Sequence, residues 1–198
     1  AQGAALLPGF AEGEGAQLLA QVESIAAVAP FRGMTTPGGH AMSVTTTSCG
    51  DGGWVSDKAG YRYARTDPQT RKPWPAMPAL FIDLARRAAD KAGFKDFTPD
   101  ACLINRYEPG AKMTLHQDRN EHDFSQPIVS VSLGLPAVFL FGGLRRAERP
   151  KRLHLRHGDV VVWGGPARMR FHGVEPVPLG EHAITGRYRI NLTLRKAL

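Results

Sequence analysis

The triplet His116-Gln117-Asp118 offers a metal ion an imidazole and a carboxylate two residues apart. On a strand, residues i and i+2 project from one face, so both can reach one ion while Gln117 points away. Two imidazoles and one carboxylate on one side of an iron leave positions open for a cosubstrate and oxygen. The third ligand must come from elsewhere, and His172, which ends the run Arg168–Phe171 before Gly173, suits a ligand returning on a later strand. A second pair, His157-Gly158-Asp159, competes for the role. Its glycine lies between two apolar runs and marks a tight turn, where a histidine is exposed and its neighbours do not converge on an interior. Taken without context, His-x-Asp is a weak signal, because most such pairs are structural.

A second pattern near the C-terminus strengthens the first. Arg189-Ile190-Asn191-Leu192-Thr193-Leu194-Arg195 alternates polar and apolar residues, so a strand here packs one face in the core and lines the other with two guanidiniums, an amide and a hydroxyl. The plain alternative is a half-exposed strand with no further role. Guanidiniums, however, suit carboxylates through bidentate, charge-assisted bonds, and two on one face point to an acidic small molecule. Asn105 and Tyr107 alternate in the same way along Ala101–Tyr107 and can add hydrogen bonds to that anion.

The elements that must position these residues are short β runs. Ala101–Tyr107, Met113–His116, Ile128–Leu135, Ala137–Phe141, Arg152–Arg156, Asp159–Trp163, Arg168–His172 and Tyr188–Leu194 follow one another between turn signals. Such spacing predicts an antiparallel sandwich or barrel, the double-sheet jelly roll included. Before residue 101 the pattern differs. Leu18, Leu19, Val22, Ile25 and Ala26 recur at helical spacing within Glu12–Val28, and Leu80, Phe81, Leu84, Ala85 and Ala88 do so within Met77–Ala92. Between these helices, Arg32–Lys72 shows weak periodicity and reads as a long irregular segment, such as a lid or binding loop. The expected fold is α+β, mainly β: one domain over residues 1–198, with a helical buttress and lid over about 1–100 and a β core over about 101–198.

Composition narrows the class. A hydrophobic fraction of 42% and a charged fraction of 22% are those of an ordinary folded protein. No apolar run approaches the roughly 18 residues that cross a bilayer, so no membrane association is expected. Residues 1–30 do not read as a signal peptide, and two cysteines are too few for a disulfide framework, which together predict a reducing cytoplasm. The net charge of +7 lies wholly in residues 101–198 and is densest from Arg145 to Arg152. A basic surface favours a polyanion, although a solvated loop chosen for solubility has the same composition. Nothing resembles a coiled coil, so a monomer is expected.

Taken together, His116-x-Asp118, His172 and Arg189-x-Asn191-x-Thr193-x-Arg195 resemble the AlkB family of nucleic-acid demethylases. The similarity spans nearly the whole chain and extends to Asp67-Pro68-Gln69-Thr70, Pro73-Trp74-Pro75, Asn105-x-Tyr107, Ser130–Leu135 and His157–Gly165. It implies a double-stranded β-helix (jelly-roll) core, N-terminal helices and a nucleotide-recognition lid. It also implies Fe(II) on His116, Asp118 and His172, with 2-oxoglutarate and O2 as cosubstrates. Arg189 would hold the metal-proximal carboxylate of 2-oxoglutarate, and Asn105, Tyr107, Asn191 and Arg195 the rest. The implied reaction is oxidative demethylation of 1-methyladenine and 3-methylcytosine in single-stranded DNA and also RNA, with release of formaldehyde, succinate and carbon dioxide.

A base that presents its methyl group to a metal must leave its stack, and aromatic side chains replace the lost stacking at about 1–3 kcal/mol per base. By resemblance, Trp54 would sandwich the base against His116, and Tyr61 and Tyr63, with Arg62 between them, would bind the strand near its phosphates. Simple packing is the alternative for each aromatic. Met34, Thr36 and Met42 are expected in the same lid, and Arg146 at a substrate phosphate. Some relatives carry a carboxylate two residues after the aspartate ligand; here that place is Asn120, which can still bond a base but without charge. Two other readings stay open: an oxygenase of the same core that hydroxylates a protein or small molecule, and a β-barrel module that binds nucleic acid without catalysis.

Overall fold

The alternating runs from Ala101 onward become two antiparallel sheets in a computed structural model that describes residues 2–198. The N-terminal elements are β1 (Ala4–Leu7), α1 (Gly15–Val28), β2 (Arg32–Thr35), β3 (Ala41–Gly50), β4 (Gly53–Asp57), β5 (Gly60–Ala64) and α2 (Ala79–Lys91). Eight strands follow: β6 (Ala101–Tyr107), β7 (Met113–His116), β8 (Ile128–Gly134), β9 (Ala137–Phe141), β10 (Lys151–Leu155), β11 (Val160–Trp163), β12 (His172–Val174) and β13 (Arg189–Arg195). The larger sheet has the order β1-β11-β8-β13-β6-β3-β2 and the smaller β10-β9-β12-β7, while β4 and β5 form a separate hairpin. Among the described residues no helix is long and apolar enough to cross a membrane.

The larger sheet buries both faces, for different reasons. One face of β6 and β13 carries Cys102, Ile104, Ile190, Leu192 and Leu194, which pack with Leu18, Val22 and Ile25 of α1 and with Phe81, Leu84 and Ala88 of α2. The helices thus cover this face with one apolar stripe each, as their spacing predicts. The opposite face looks toward the smaller sheet. Tyr107, Ile128, Val161 and Trp163 from one side meet Phe139, Phe141, Leu155 and Val174 from the other.

Three expectations need correction. Arg32–Lys72 is not irregular: it contains β2 to β5, and β3 pairs with β6 from Thr45↔Arg106 to Gly50↔Ala101. Its alternation is hidden because Thr46, Thr47 and Ser48 are buried hydroxyl residues; the Thr47 hydroxyl donates to the Ala29 carbonyl at 2.6 Å. Residue 100 is likewise no structural boundary, since β1 pairs with β11 and β3 with β6, both within the core sheet. Finally, Arg168–His172 is not a strand. A 3-10 turn over Gly165–Ala167 runs on through a bond from the Arg170 amide to the Ala167 carbonyl, and β12 starts only at His172.

His157-Gly158-Asp159 does form a turn, with Gly158 at φ 82°. Asp159 is nonetheless buried rather than solvated. Its carboxylate accepts the Gly9 amide at 2.8 Å and the Arg156 amide at 2.7 Å, and His157 stacks on His182 at 4.6 Å and accepts the Gly134 amide. The pair therefore ties the N-terminal segment to the turn before β11. Replacing Asp159 with alanine leaves two amides unsatisfied and is expected to lower stability by about 1–3 kcal/mol in urea unfolding. Metal stoichiometry should stay unchanged in the same variant; a loss of metal with little loss of stability would show that this pair is a ligand site.

Candidate metal centre and substrate chamber

β7 ends at His116 beside β12, which opens with His172, and the two residues are direct register partners. The register then shifts between His172 and Val174. Gly173 makes this approach possible: a Cβ there would lie 2.6 Å from the Met113 carbonyl oxygen, closer than a side chain tolerates. Asp118 follows β7 and turns back, so that one ligand atom from each of His116, Asp118 and His172 lies within 4.8 Å of the others. The Nε2 atoms of His116 and His172 stand 3.8 Å and 3.5 Å from the Asp118 carboxylate.

Both imidazoles are oriented from behind. Nδ1 of His116 lies 2.8 Å from the Thr114 carbonyl, and Nδ1 of His172 lies 3.1 Å from the Arg170 carbonyl. A carbonyl only accepts, so each Nδ1 carries the proton and each Nε2 presents its lone pair. Burial, with the neighbouring His172, lowers the His116 pKa to about 4, which keeps the ring neutral and able to ligate. The part of His116 that remains exposed lines the chamber. Burial alone would raise the Asp118 carboxyl, but Arg195 and His172 override it and hold it well below the usual carboxylate range.

Arg195 donates to Asp118 at 2.8 Å and Arg168 donates to the Asp118 backbone carbonyl at 3.1 Å. Glu121 joins the two arginines, 3.1 Å from Arg168 and 3.4 Å from the Arg195 Nε. Glu121, Arg168 and Arg195 are buried, the Asp118 side chain is 10% exposed, and the group of two carboxylates and two guanidiniums is formally neutral. Sequence reasoning did not assign Glu121 or Arg168 a role, since a charged residue in a loop carries no local sign of burial. Arg189 also differs from expectation. It contacts no metal ligand; Arg195 does, so the metal-proximal arginine is Arg195. Arg189 instead lies over the Tyr107 ring at 5.0 Å and donates to Ser132 at 3.1 Å.

His116, Asp118, His172 and Arg195 border a chamber of about 730 Å³, whereas Glu121, Arg168 and Arg189 do not line it. Asn105, Tyr107, Asn191 and Arg195 line one side; Trp54, Tyr61, Thr36, Met42, Asn120 and Arg146 lie toward the hairpin and loops. Trp54 and Tyr61 stack at 5.6 Å with 18° between their planes. Asn120 donates to the Tyr61 carbonyl at 3.2 Å, and Arg146 lies over Phe171 at 6.0 Å. Three expected substrate residues are placed elsewhere. Met34 is buried and does not line the chamber. Arg62 alternates to the face of β5 opposite Tyr61 and Tyr63, the one that carries Val55, and pairs with Asp57. Tyr63 turns inward, donating to Glu121 at 2.8 Å and accepting from Arg195 at 3.0 Å, so its hydroxyl is not available to a phosphate.

The donor set tests what this site can hold. A triad of two imidazoles and one carboxylate on one side of an ion suits iron(II) with open positions. Arg189 is buried with no carboxylate partner; its Nε and Nη1 make no hydrogen bond, and neither does the Asn105 Oδ1. A buried cation so left fits a small dianion such as 2-oxoglutarate. Residues 3–195 match the family model described as the 2OG-Fe(II) oxygenase superfamily. The chain is 56% identical over 197 residues to the alpha-ketoglutarate-dependent dioxygenase AlkB of Escherichia coli (strain K12), covering all of this chain and 91% of that protein. The protein belongs to the AlkB family of Fe(II)/2-oxoglutarate dioxygenases. A more distant family member, human nucleic acid dioxygenase ALKBH1, is 38% identical over 132 residues, 65% of this chain and 33% of its own length. The solved structure of OsALKBH1 superposes with a TM-score of 0.84 at 26% identity, covering 98% of this chain and 97% of that one.

As an AlkB-family enzyme the protein uses Fe(II), 2-oxoglutarate and O2, with His116, Asp118 and His172 as metal ligands. Asp118→Ala is expected to abolish stoichiometric Fe(II) binding in anaerobic equilibrium dialysis. Circular dichroism checks the fold, because Glu121 alone then faces both Arg168 and Arg195 and some loss of stability is expected. Retention of one tightly bound Fe(II) in this variant would remove Asp118 from the ligand set.

Proposed function

We propose that this protein oxidatively demethylates N-alkylated bases, such as 1-methyladenine and 3-methylcytosine, in single-stranded DNA and in RNA. One observation carries the reading: a stacked Trp54–Tyr61 pair borders a chamber that also contains the His116, Asp118 and His172 triad. Its volume lies within the roughly 300–1,000 Å³ of small-ligand sites. The flat aromatic surface suits a base removed from its stack. The name of the human relative, a nucleic acid dioxygenase, agrees with that substrate. So does the concentration of positive charge in residues 101–198. The two sheets, with strands from β6 to β13 divided between them, support a jelly-roll core, and β4–β5 serves as the nucleotide-recognition lid over it. The remaining parts of the proposal are a single catalytic domain over residues 1–198, a monomer, and a cytoplasmic location; the last rests on two buried free cysteines.

Bound together, iron(II), 2-oxoglutarate and oxygen would supply the oxidant, one oxygen atom going to succinate as carbon dioxide is lost and the other then hydroxylating an N-methyl group, which leaves as formaldehyde. The chain's own residues bind and orient. Arg189, with Asn105, Tyr107 and Asn191, holds the carboxylate of 2-oxoglutarate that is remote from the metal, and Arg195 keeps Asp118 ionised and fixed. Trp54 covers the base on the side opposite His116. Asn120 uses its amide nitrogen on Tyr61, which leaves its Oδ1 to accept from an exocyclic amino group. Thr36 and Met42 close the wall, and Arg146 meets a phosphate at the rim.

A single-stranded oligonucleotide bearing 1-methyladenine should lose one methyl group per lesion by mass spectrometry and release formaldehyde only with Fe(II) and 2-oxoglutarate. Consumption of 2-oxoglutarate with no affinity for single strands would favour hydroxylation of a protein or small molecule instead. Arg189→Met removes the cation at similar volume. It is expected to weaken 2-oxoglutarate binding about 10- to 100-fold in calorimetry with Mn(II), from the loss of charge-assisted bonds. Mn(II) affinity alone should not change, and undiminished 2-oxoglutarate binding would place the anion elsewhere.

A further inference from the structure

The hairpin β4–β5 is not part of either sheet. A two-stranded hairpin is marginal by itself, so its position depends on what anchors it. One face packs Val55 and Ala64 onto Ala29 and Trp74. The other presents Trp54, with Tyr63 as its direct cross-strand partner, and Tyr61 two residues before Tyr63 on the same face. This second face is tied to the loop after Asp118 at two points: the Tyr61 carbonyl accepts from Asn120, and the Tyr63 hydroxyl donates to Glu121.

The Tyr63 bond continues beyond Glu121. The same hydroxyl accepts from Arg195 Nη1 at 3.0 Å, and Arg195 Nη2 donates to the Asp118 carboxylate at 2.8 Å. Glu121 also holds Arg168, which grips the Asp118 backbone carbonyl. A short chain of charge-assisted bonds thus runs from the strand opposite Trp54 to a metal ligand. The charged side chains along it are at most 10% exposed, and in such surroundings these bonds are strong and an unmatched partner is costly. Burial holds the Tyr63 phenol well above its usual range, so it stays protonated and remains the donor to Glu121.

We propose that Tyr63 and Glu121 are positioning residues that couple the seating of the β4–β5 hairpin to the placement of Asp118. Occupation of the metal site then draws the hairpin down, and a base held on Trp54 in turn steadies the ligand. Coupling of this kind is reciprocal, so it can be read from the metal side without any substrate. The inference requires the metal site but not the nucleic-acid reading, and its test is independent of demethylation.

The test is hydrogen–deuterium exchange of residues 53–64 in the full chain, with and without Mn(II) and 2-oxoglutarate. In the wild type, ligands are expected to slow hairpin exchange about tenfold, the effect of one charge-assisted bond. In Tyr63→Phe this response should disappear, while α2 keeps its wild-type protection as the control for folding. Glu121→Gln retains shape and one acceptor and should keep part of the response, which also serves should the phenylalanine variant prove unstable. A purely structural role for Tyr63 would lower hairpin protection equally with and without ligands. A hairpin insensitive to Mn(II) and 2-oxoglutarate in the wild type, or a full response in Tyr63→Phe, would overturn the proposal.

Discussion

An ionised carboxylate placed inside a protein between two imidazoles is costly unless a cation shares the site. Here Asp118 meets that condition through Arg195 at 2.8 Å. Burial keeps His116 neutral, so Arg195, with a smaller contribution from His172, is what holds the carboxylate ionised. Arg195 stands at the end of β13, so the central strand of the larger sheet must end beside the metal. Arg195 is itself held by Asp118, Tyr63 and Glu121, which together outweigh the cost of burying it and raise its pKa. The path of β13, the burial of Glu121 and the inward turn of Tyr63 all follow from keeping one aspartate charged and still.

The same strand explains how an apolar core and a polar chamber coexist in a protein of this size. Side chains alternate across a strand, so β13 can give Ile190, Leu192 and Leu194 to the helices while giving Arg189, Asn191, Thr193 and Arg195 to the chamber side. β6 repeats the division, with Cys102 and Ile104 on the helical face and Asn105 and Tyr107 on the other. A register slip of one residue in either strand would put polar side chains into the helical core. Register is therefore fixed from both sides, by hydrophobic burial and by the need to satisfy charge.

Much of this was readable because it depends on local period. The His-x-Asp pair at a strand end, the alternation from Arg189 to Arg195 and the helical stripes around Leu18 and Phe81 each show in a few consecutive residues. Seven of the eight strands expected after residue 100 fall where the alternation puts them. What escaped depends on partners far away in sequence. Thr46, Thr47 and Ser48 look like loop residues until Ala29 and β6 enclose them. Glu121 and Arg168 look like surface charges until each is found against the other. Tyr63 and Arg62 are adjacent, and only the hairpin's orientation decides that the tyrosine turns to Arg195 while the arginine turns to solvent. The resemblance put Arg189 at the metal-proximal carboxylate, whereas Arg195 is the arginine that reaches Asp118; spacing gives the face of a strand but not which end lies at the metal.

Arg189 shares the face of β13 that carries Asn191 and Arg195 but does not itself line the chamber. Arg195 is neutralised within the protein, but Arg189 is buried beside Tyr107 and Ser132, with two of its nitrogens unbonded. Burial lowers its pKa from the usual guanidinium value, and Tyr107 offsets this only in part. With no carboxylate of the protein beside it, Arg189 has an uncompensated charge, and an anion bound there would offset a desolvation incurred during folding. Such an anion binds the native state alone, so its binding free energy adds to stability as well as to affinity. A carboxylate side chain in place of Ser132 would satisfy Arg189 permanently and would stabilise the unliganded fold. Under the placement proposed for 2-oxoglutarate, it would also compete with the cosubstrate's carboxylate. The unpaired arginine is thus a cost that a bound anion would offset.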